Sequence, residues 1–239
     1  MIVDLILALG VALTPVQAYS QGNKLYAQKD YSGAVQAYQE ALKAGPCAAV
    51  HYNLGNALFK AGKIGRAILN YRLARYLDPD DPDIAANLNF ARNYRVDRVL
   101  AAPSPFARVL DDVFHRLSRR RATMVASVFF MLAGLSLALW IVRRWTVLAL
   151  AASLLALVAV FGLVTQQVWA GEVAQRPAVI VVPEVNALSG PSEEFKQILL
   201  VHDGTEVRIR EARGDYLLVQ LPGGGGGWVR KDAVERVYP

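Results

Sequence analysis

Residues 19–27 read Tyr-Ser-Gln-Gly-Asn-Lys-Leu-Tyr-Ala, and residues 52–60 read Tyr-Asn-Leu-Gly-Asn-Ala-Leu-Phe-Lys. Gly22-Asn23 of the first stretch recurs as Gly55-Asn56 of the second, and Leu25 as Leu58. The same offset of 33 residues carries Ala34 to Ala67, Tyr38 to Tyr71, Ala41 to Ala74 and Pro46 to Pro79. A fixed period of this length marks stacked supersecondary units. Each unit reads as two helices: 19–28 with 32–44, then 48–60 with 64–77. Lys29-Asp30 and Gly62-Lys63 break the pairs. Gly45-Pro46 and Asp78-Pro79 close the units, because Pro cannot continue a helix. Gly and Ala at the repeated positions let paired helices approach, and Tyr38 and Tyr71 fill the gaps between them. A partial third unit begins at Asp83, with Ile84, Leu88, Ala91 and Tyr94 at helical spacing, and is expected to cap the stack.

Beyond this domain (19–97) the composition changes. The chain of 239 residues is 54% hydrophobic and 19% charged, but the charges avoid residues 122–171, where Arg143 and Arg144 stand alone. Runs 124–142 and 147–164 are uncharged and largely apolar. They predict two transmembrane helices, about 124–142 and 146–166, since about 20 residues cross a ~30 Å hydrocarbon core. Arg143, Arg144, Trp140, Trp145 and Trp169 sit at the span ends as interface anchors. Ser127, Gly134, Ser136 and Gly162 are candidates for easing the contact between the two helices. Neither span holds an acidic residue or a His, which argues against a channel or transporter.

The net charge of +6 is uneven. Arg92, Arg95, Arg98, Arg108, Arg116, Arg119, Arg120 and Arg121 crowd the segment before the first span. Beside an apolar span such a run reads as a contact with membrane lipid, and no recognition motif for nucleic acid accompanies it. Within linker 98–121, residues 104–121 place Phe106, Val109, Leu110, Val113, Phe114 and Leu117 on one helical face, an amphipathic surface helix with His115 on its flank. At the N-terminus, apolar residues 5–13 precede Val16-Gln17-Ala18, which predicts a secretory signal peptide (1–18) cut after Ala18. Asp4 stands where such a leader carries a cation, so the same run also reads as an apolar first helix of the repeat domain. Cys47 is the only cysteine, which excludes an internal disulfide and a cysteine-cluster metal site.

Residues 177–239 are punctuated differently. Stretches 178–182, 198–201, 206–210, 216–221 and 227–229 read as five strands between turns at Gly190-Pro191, Asp203-Gly204, Gly214-Asp215 and 222–226. Five short strands in so few residues predict a small barrel. The Gly run 223–227 enters a strand and lacks the Lys-Ser/Thr of a phosphate loop, so it reads as a hairpin tip.

Three resemblances follow from these residues. Leu54, Gly55, Ala67, Tyr71, Ala74 and Pro79 resemble the tetratricopeptide repeat. The resemblance implies an all-α repeat domain whose first helices line a concave groove for a partner peptide or helix, here Tyr19, Asn23 and Tyr26, then Tyr52, Asn56, Phe59 and Lys60, then Phe90 and Tyr94. Some relatives clamp a terminal carboxylate with paired Lys and Arg; Asp83 stands where a cation is wanted. Leu188-Ser-Gly-Pro-Ser192, His202-Asp-Gly-Thr205, Tyr216 and Gly227-Trp-Val229 resemble the bacterial SH3 domain. This implies an all-β SH3-like barrel that binds protein segments or cell-wall peptides, with Tyr216 and Trp228 as contacts, Trp228 reading equally as core. The order of parts, with Asn87-Leu-Asn-Phe-Ala-Arg92 and Val96-Asp97 ahead of the hairpin, is similar to BatE-like proteins of the Bat (Bacteroides aerotolerance) system. That implies an inner-membrane scaffold working with von Willebrand A-domain Bat proteins, without catalytic residues.

The expected protein is therefore multidomain: repeat domain, transmembrane hairpin, barrel. His51, His115 and His202 lie in separate segments and no nucleophile, metal or cofactor motif occurs, so no enzyme and no cofactor are expected. The alternative function is a wall-binding sensor in which the barrel holds peptidoglycan and the repeats act as a spacer. A cleaved signal places both soluble domains in the periplasm; Arg119 to Arg121 pull towards the opposite orientation.

Overall fold

The computed structural model describes residues 13–97 and 104–238. Two compact units emerge: one from 13–97 together with 175–238, the other from 104–174. The signal-like residues 1–12 and the linker residues 98–103 lie outside the described residues.

The first unit opens with five helices: α1 (Pro15–Ala27), α2 (Tyr31–Leu42), α3 (Ala48–Lys60), α4 (Ile64–Leu77) and α5 (Pro82–Asn93). The 33-residue frame holds. Lys29 (φ 64°) and Gly62 (φ 76°) take the left-handed conformation that ends the first helix of each pair,. A Cβ added to Gly22 would stand 2.5 Å from the Tyr38 ring, and one added to Gly55 would stand 2.7 Å from the Tyr71 ring. Both tyrosines are buried, so the repeated glycines make room for the repeated rings. α1 starts before the expected residue 19, because Thr14 and Gln17 form a reciprocal capping box and Pro15 fits the first turn,. Ala18 is fully buried within that helix, so a cut after Ala18 would remove the cap and the first turn.

The same unit ends in β1 (Pro177–Ile180), β2 (Glu184–Leu188), β3 (Gln197–His202), β4 (Glu206–Arg213), β5 (Tyr216–Gln220), β6 (Gly226–Arg230) and β7 (Val234–Arg236). They form one antiparallel sheet ordered β3-β2-β6-β5-β4-β1-β7. This corrects the expected five strands. β2 and β7 are short and carry charges, Glu184 in β2 and Glu235 and Arg236 in β7, which hid them from a search for apolar alternation,. The sheet is open, with β3 and β7 at its edges, rather than a closed barrel. Ile180, Val201, Val207, Ile209, Leu217, Val219 and Val229 form its core. The glycine run makes the turn between β5 and β6, where Gly226 pairs with Gln220.

The second unit is a helical hairpin with a short helix ahead of it: α6 (Pro105–Phe114), α7 (Arg119–Arg143) and α8 (Thr146–Ala174). α7 and α8 are long and apolar enough to cross a membrane. Arg144 (φ 56°) and Trp145 make the turn. Outward-facing Phe130, Met131, Leu150 and Leu157 are exposed, an arrangement suited to lipid and costly in water. Gly162 lies where a Cβ would come within 2.9 Å of the Ala122 carbonyl, and Ser136 Oγ donates to the Leu148 carbonyl at 2.9 Å. Gly134 meets no atom within 4 Å and Ser127 is exposed, so those two do not mediate the contact.

Two further expectations are corrected here. The amphipathic helix stops at Phe114, and Arg119 to Arg121 instead begin α7, because Ser118 caps that helix,. Trp169 is not an interface anchor: it is 1% exposed, and its indole N–H donates to the Leu117 carbonyl at 2.9 Å. His115 is buried edge-on against that ring, 3.2 Å from Glu172.

Candidate functional site: the repeat groove and the face behind it

The first helices of the repeats hold two copies of one hydrogen-bond network. Tyr38 Oη donates to Asn23 Oδ1 at 2.8 Å, and Asn53 Nδ2 donates both to Asn23 Oδ1 at 3.2 Å and to Tyr19 Oη at 2.9 Å. In the next rung, Tyr71 Oη donates to Asn56 Oδ1 at 2.7 Å. Asn87 Nδ2 donates to Asn56 Oδ1 at 2.9 Å and to Tyr52 Oη at 2.9 Å. Each accepting amide oxygen therefore has both lone pairs occupied. Among the described residues, the Nδ2 groups of Asn23 and Asn56 remain available as donors, and the Oδ1 atoms of Asn53 and Asn87 as acceptors.

Asn23, Tyr26, Tyr38, Asn53 and Asn56 line an open pocket of about 220 Å³. Burial first, and the neighbouring Tyr19 second, push the Tyr38 phenol up to about 12; burial likewise raises Tyr71 and Tyr26. The Tyr38 and Tyr71 phenols serve as fixed donors to Asn23 and Asn56.

Further along the groove the chemistry turns apolar. Phe59, Phe90 and Tyr94 form a mutual cluster with ring centroids 5.1–5.5 Å apart. Phe90 is 52% and Tyr94 58% exposed, and Lys60 is exposed next to Phe59 in sequence. The structure thus brings Asn23, Tyr26 and Asn56 to one pocket and Phe59 and Phe90 to one apolar cluster. Tyr19 and Tyr52 accept hydrogen bonds from the amide ladder. Asn53 and Asn87 escaped the sequence reading. Their spacing of 34 residues is off the 33-residue frame by one, because an extra residue enters the Asp78–Asp81 turn.

Tyr216 and Trp228 lie apart from this groove, on the sheet. Trp228 is 8% exposed, with the Arg213 guanidinium 5.4 Å from its ring centre. It pairs across the strands with Leu218 and Leu188, on the face opposite the core residues Leu217 and Val229. Tyr216 is half-buried beside Arg230 in the register.

A second constellation was not legible in the sequence: the sheet is docked on the repeats. Glu206, at the start of β4, receives Arg92 Nε at 2.9 Å, Arg92 Nη2 at 2.8 Å, Arg95 Nη1 at 3.1 Å and Arg72 Nη1 at 3.3 Å. Burial pushes its pKa up, but Arg92, Arg72 and Arg95 outweigh this and hold it below the usual range. Asp97 accepts from the His202 backbone N–H at 2.8 Å and from Thr205 Oγ1 at 2.6 Å, with His202 Nδ1 2.8 Å away. Burial opposes ionisation there too, and these hydrogen bonds overcome it. Asp203 Oδ2 accepts from Gly65 N–H at 3.0 Å, while burial keeps its pKa raised against that bond. Arg66 meets Glu235 at 2.9 Å, and the Tyr76 and Tyr238 rings lie 4.8 Å apart.

Arg92 and Arg95 are therefore engaged by the sheet. Their assignment to a lipid-facing basic run is corrected: Glu206, directly after the motif His202-Asp-Gly-Thr205, supplies the carboxylate they face.

Residues 19–82 match the family model of the tetratricopeptide repeat. Over these residues the helix pairs are similar to tetratricopeptide repeats, an interaction fold found in protein-binding scaffolds. No curated protein matches the chain.

Proposed function

We propose that the protein is a membrane-anchored scaffold whose tetratricopeptide groove holds an extended segment of a partner protein. The observation that carries this reading is the amide ladder. Free donors on Asn23 and Asn56 alternate with free acceptors on Asn53 and Asn87, the pattern that an extended peptide backbone complements. The cluster of Phe59, Phe90 and Tyr94, with Lys60 beside it, suits an apolar side chain of the same peptide. The order of the parts supports placement in a Bat-type envelope complex with von Willebrand A-domain membrane proteins. The hairpin is the lipid anchor, and the SH3-like sheet and the repeats face the periplasm of a bacterial inner membrane. The wall-binding alternative has less to work with, because Trp228 is buried beneath Arg213 and Tyr216 is half-buried.

A photo-crosslinking side chain at Lys60, in the intact protein in its own membrane, tests the groove. The expected result is one dominant protein adduct that Tyr52→Ala, Phe59→Ala and Phe90→Ala each weaken at least about tenfold, the scale of losing a buried aromatic anchor. Unchanged adducts in all three variants overturn the assignment. A compartment reporter fused after Pro239 checks the orientation, and a cytoplasmic readout there excludes wall binding.

A further inference from the structure

α5 is the first helix of a third unit, and among the described residues no second helix follows it within its compact unit. A stacked array exposes an apolar face wherever the next unit is missing, and a terminal element has to cover it. The faces left open here belong to α4 and α5; α4 packs on the sheet, and α5 reaches it through Arg92. Ile68 of α4 is fully buried, and a Cβ on Gly204 would come within 3.2 Å of its Cδ1. A Cβ on Gly65 would stand 2.2 Å from the Ile180 carbonyl, so the backbones of α4 and the sheet approach as closely as glycine permits.

Chemistry follows the same line. Position 63 caps α4 with a Lys that makes no side-chain capping hydrogen bond, and Asp203 supplies the missing acceptor at Gly65 N–H from the sheet,. Glu206 joins Arg72 of α4 to Arg92 and Arg95 around the end of α5.

We infer that the C-terminal sheet is the cap of the repeat array, and that Asp203 and Glu206 are positioning residues for the groove. α5 is held from two sides. Asn87 ties it to Tyr52 and Asn56 in the groove, and Arg92 ties it to Glu206 behind. A helix of 12 residues is marginal in water by itself,, so releasing the sheet frays α5 and displaces Asn87, Phe90 and Tyr94. Groove occupancy and sheet docking are then linked, and each favours the other. The meaning for binding rests on the groove reading above; the capping itself does not.

Hydrogen exchange on the full chain in detergent or nanodiscs, without any partner, tests the capping. In Glu206→Gln the amides of residues 84–91 are expected to exchange at least about tenfold faster, while α2 and β5–β6 keep their wild-type protection. Asp203→Asn is expected to act on the first turn of α4. Arg92→Gln is expected to reproduce the Glu206→Gln pattern and to add little in the double variant. Glu206→Asp is expected to restore part of the protection, which a purely volumetric role would not do. Glu211→Gln, on the same strand but away from the repeats, is expected to change nothing.

Wild-type protection of α5 in both Glu206→Gln and Arg92→Gln overturns the inference, as does a loss spread equally over α2. Should Glu206→Gln fail to fold, Arg92→Gln and Asp203→Asn decide. Crosslinking at Lys60 reads the groove and exchange without partner reads the cap, so either can fail alone.

Discussion

The two repeats share one frame and differ where it matters for their neighbours. Repeat one caps both of its helices with its own side chains, Thr14 for α1 and Asp30 for α2. Repeat two has Cys47 and Lys63 at the same positions, and neither makes a capping hydrogen bond. Ser32 becomes Gly65, Gly33 becomes Arg66, Gln39 becomes Arg72 and Lys43 becomes Tyr76. Gly65, Arg66, Arg72 and Tyr76 all touch the sheet or the C-terminal residues after it. Tyr19 and Tyr52, Gly22 and Gly55, Asn23 and Asn56, and Tyr38 and Tyr71, by contrast, are the same in both repeats. Repeat one thus caps its own helices, while repeat two has given up local capping for a tertiary contact. Divergence within an internal repeat can locate an interface when the equivalent positions are compared pairwise.

The largest expected effect separates the repeats most sharply. Gly65→Val forces a side chain into the Ile180 carbonyl and is expected to cost about 2–3 kcal/mol in urea unfolding. Ser32→Val at the equivalent place in repeat one should stay within about 1 kcal/mol, and equal losses would break the distinction. Where the repeats are alike the effects should be alike: Gly22→Ala and Gly55→Ala each press on a buried tyrosine and are expected to cost about 1–2 kcal/mol apiece.

Titration divides the molecule in a similar way. Glu206 and Asp97 have depressed pKa values in the fold. Their contribution is complete above the unfolded carboxylate range near ~4 and is lost as the pH falls through the folded values. Asp203, raised by burial, shifts the balance the other way and softens that loss. The raised phenol of Tyr38, at about 12, gives stability that is complete below its unfolded value near ~10 and is lost as the pH climbs through the folded one. Acid should therefore undock the sheet before it disturbs α2, and alkali should act on the repeat cores. Circular dichroism, with exchange at α2 and α5 across pH 2–12, checks the order.

The smallest effects concern the caps. Asp30→Ala and Thr14→Ala should each cost about 1 kcal/mol, and Cys47→Ser should add a few tenths of a kcal/mol by giving α3 the cap it lacks. No cost for Thr14→Ala, together with a mass lacking residues 1–18, would show that the chain is cut after Ala18.

Period and composition alone gave the paired helices, the closing prolines, the glycine–tyrosine packing and the two apolar helices, because each depends on residues a few positions apart or on a long uniform run. The groove was legible in part. Asn23, Tyr26 and Asn56 lie at regular helix positions, but the roles of Asn53 and Asn87 depend on which oxygen is already taken, a question of satisfied lone pairs that no spacing reveals. The open seven-stranded sheet was legible in part, since β2 and β7 are short and carry charges in place of an apolar run.

Only the tertiary structure decided where Arg92, Arg95 and the His202–Glu206 turn belong. A charge in a sequence names no partner. Glu206 lies 114 residues from Arg92, and no local rule spans that distance. The chain by itself determined the elements that close on themselves through hydrogen bonds between near neighbours. The docking of the sheet, which joins residues 13–97 and 175–238 in one unit, arose from burial and charge pairing in three dimensions.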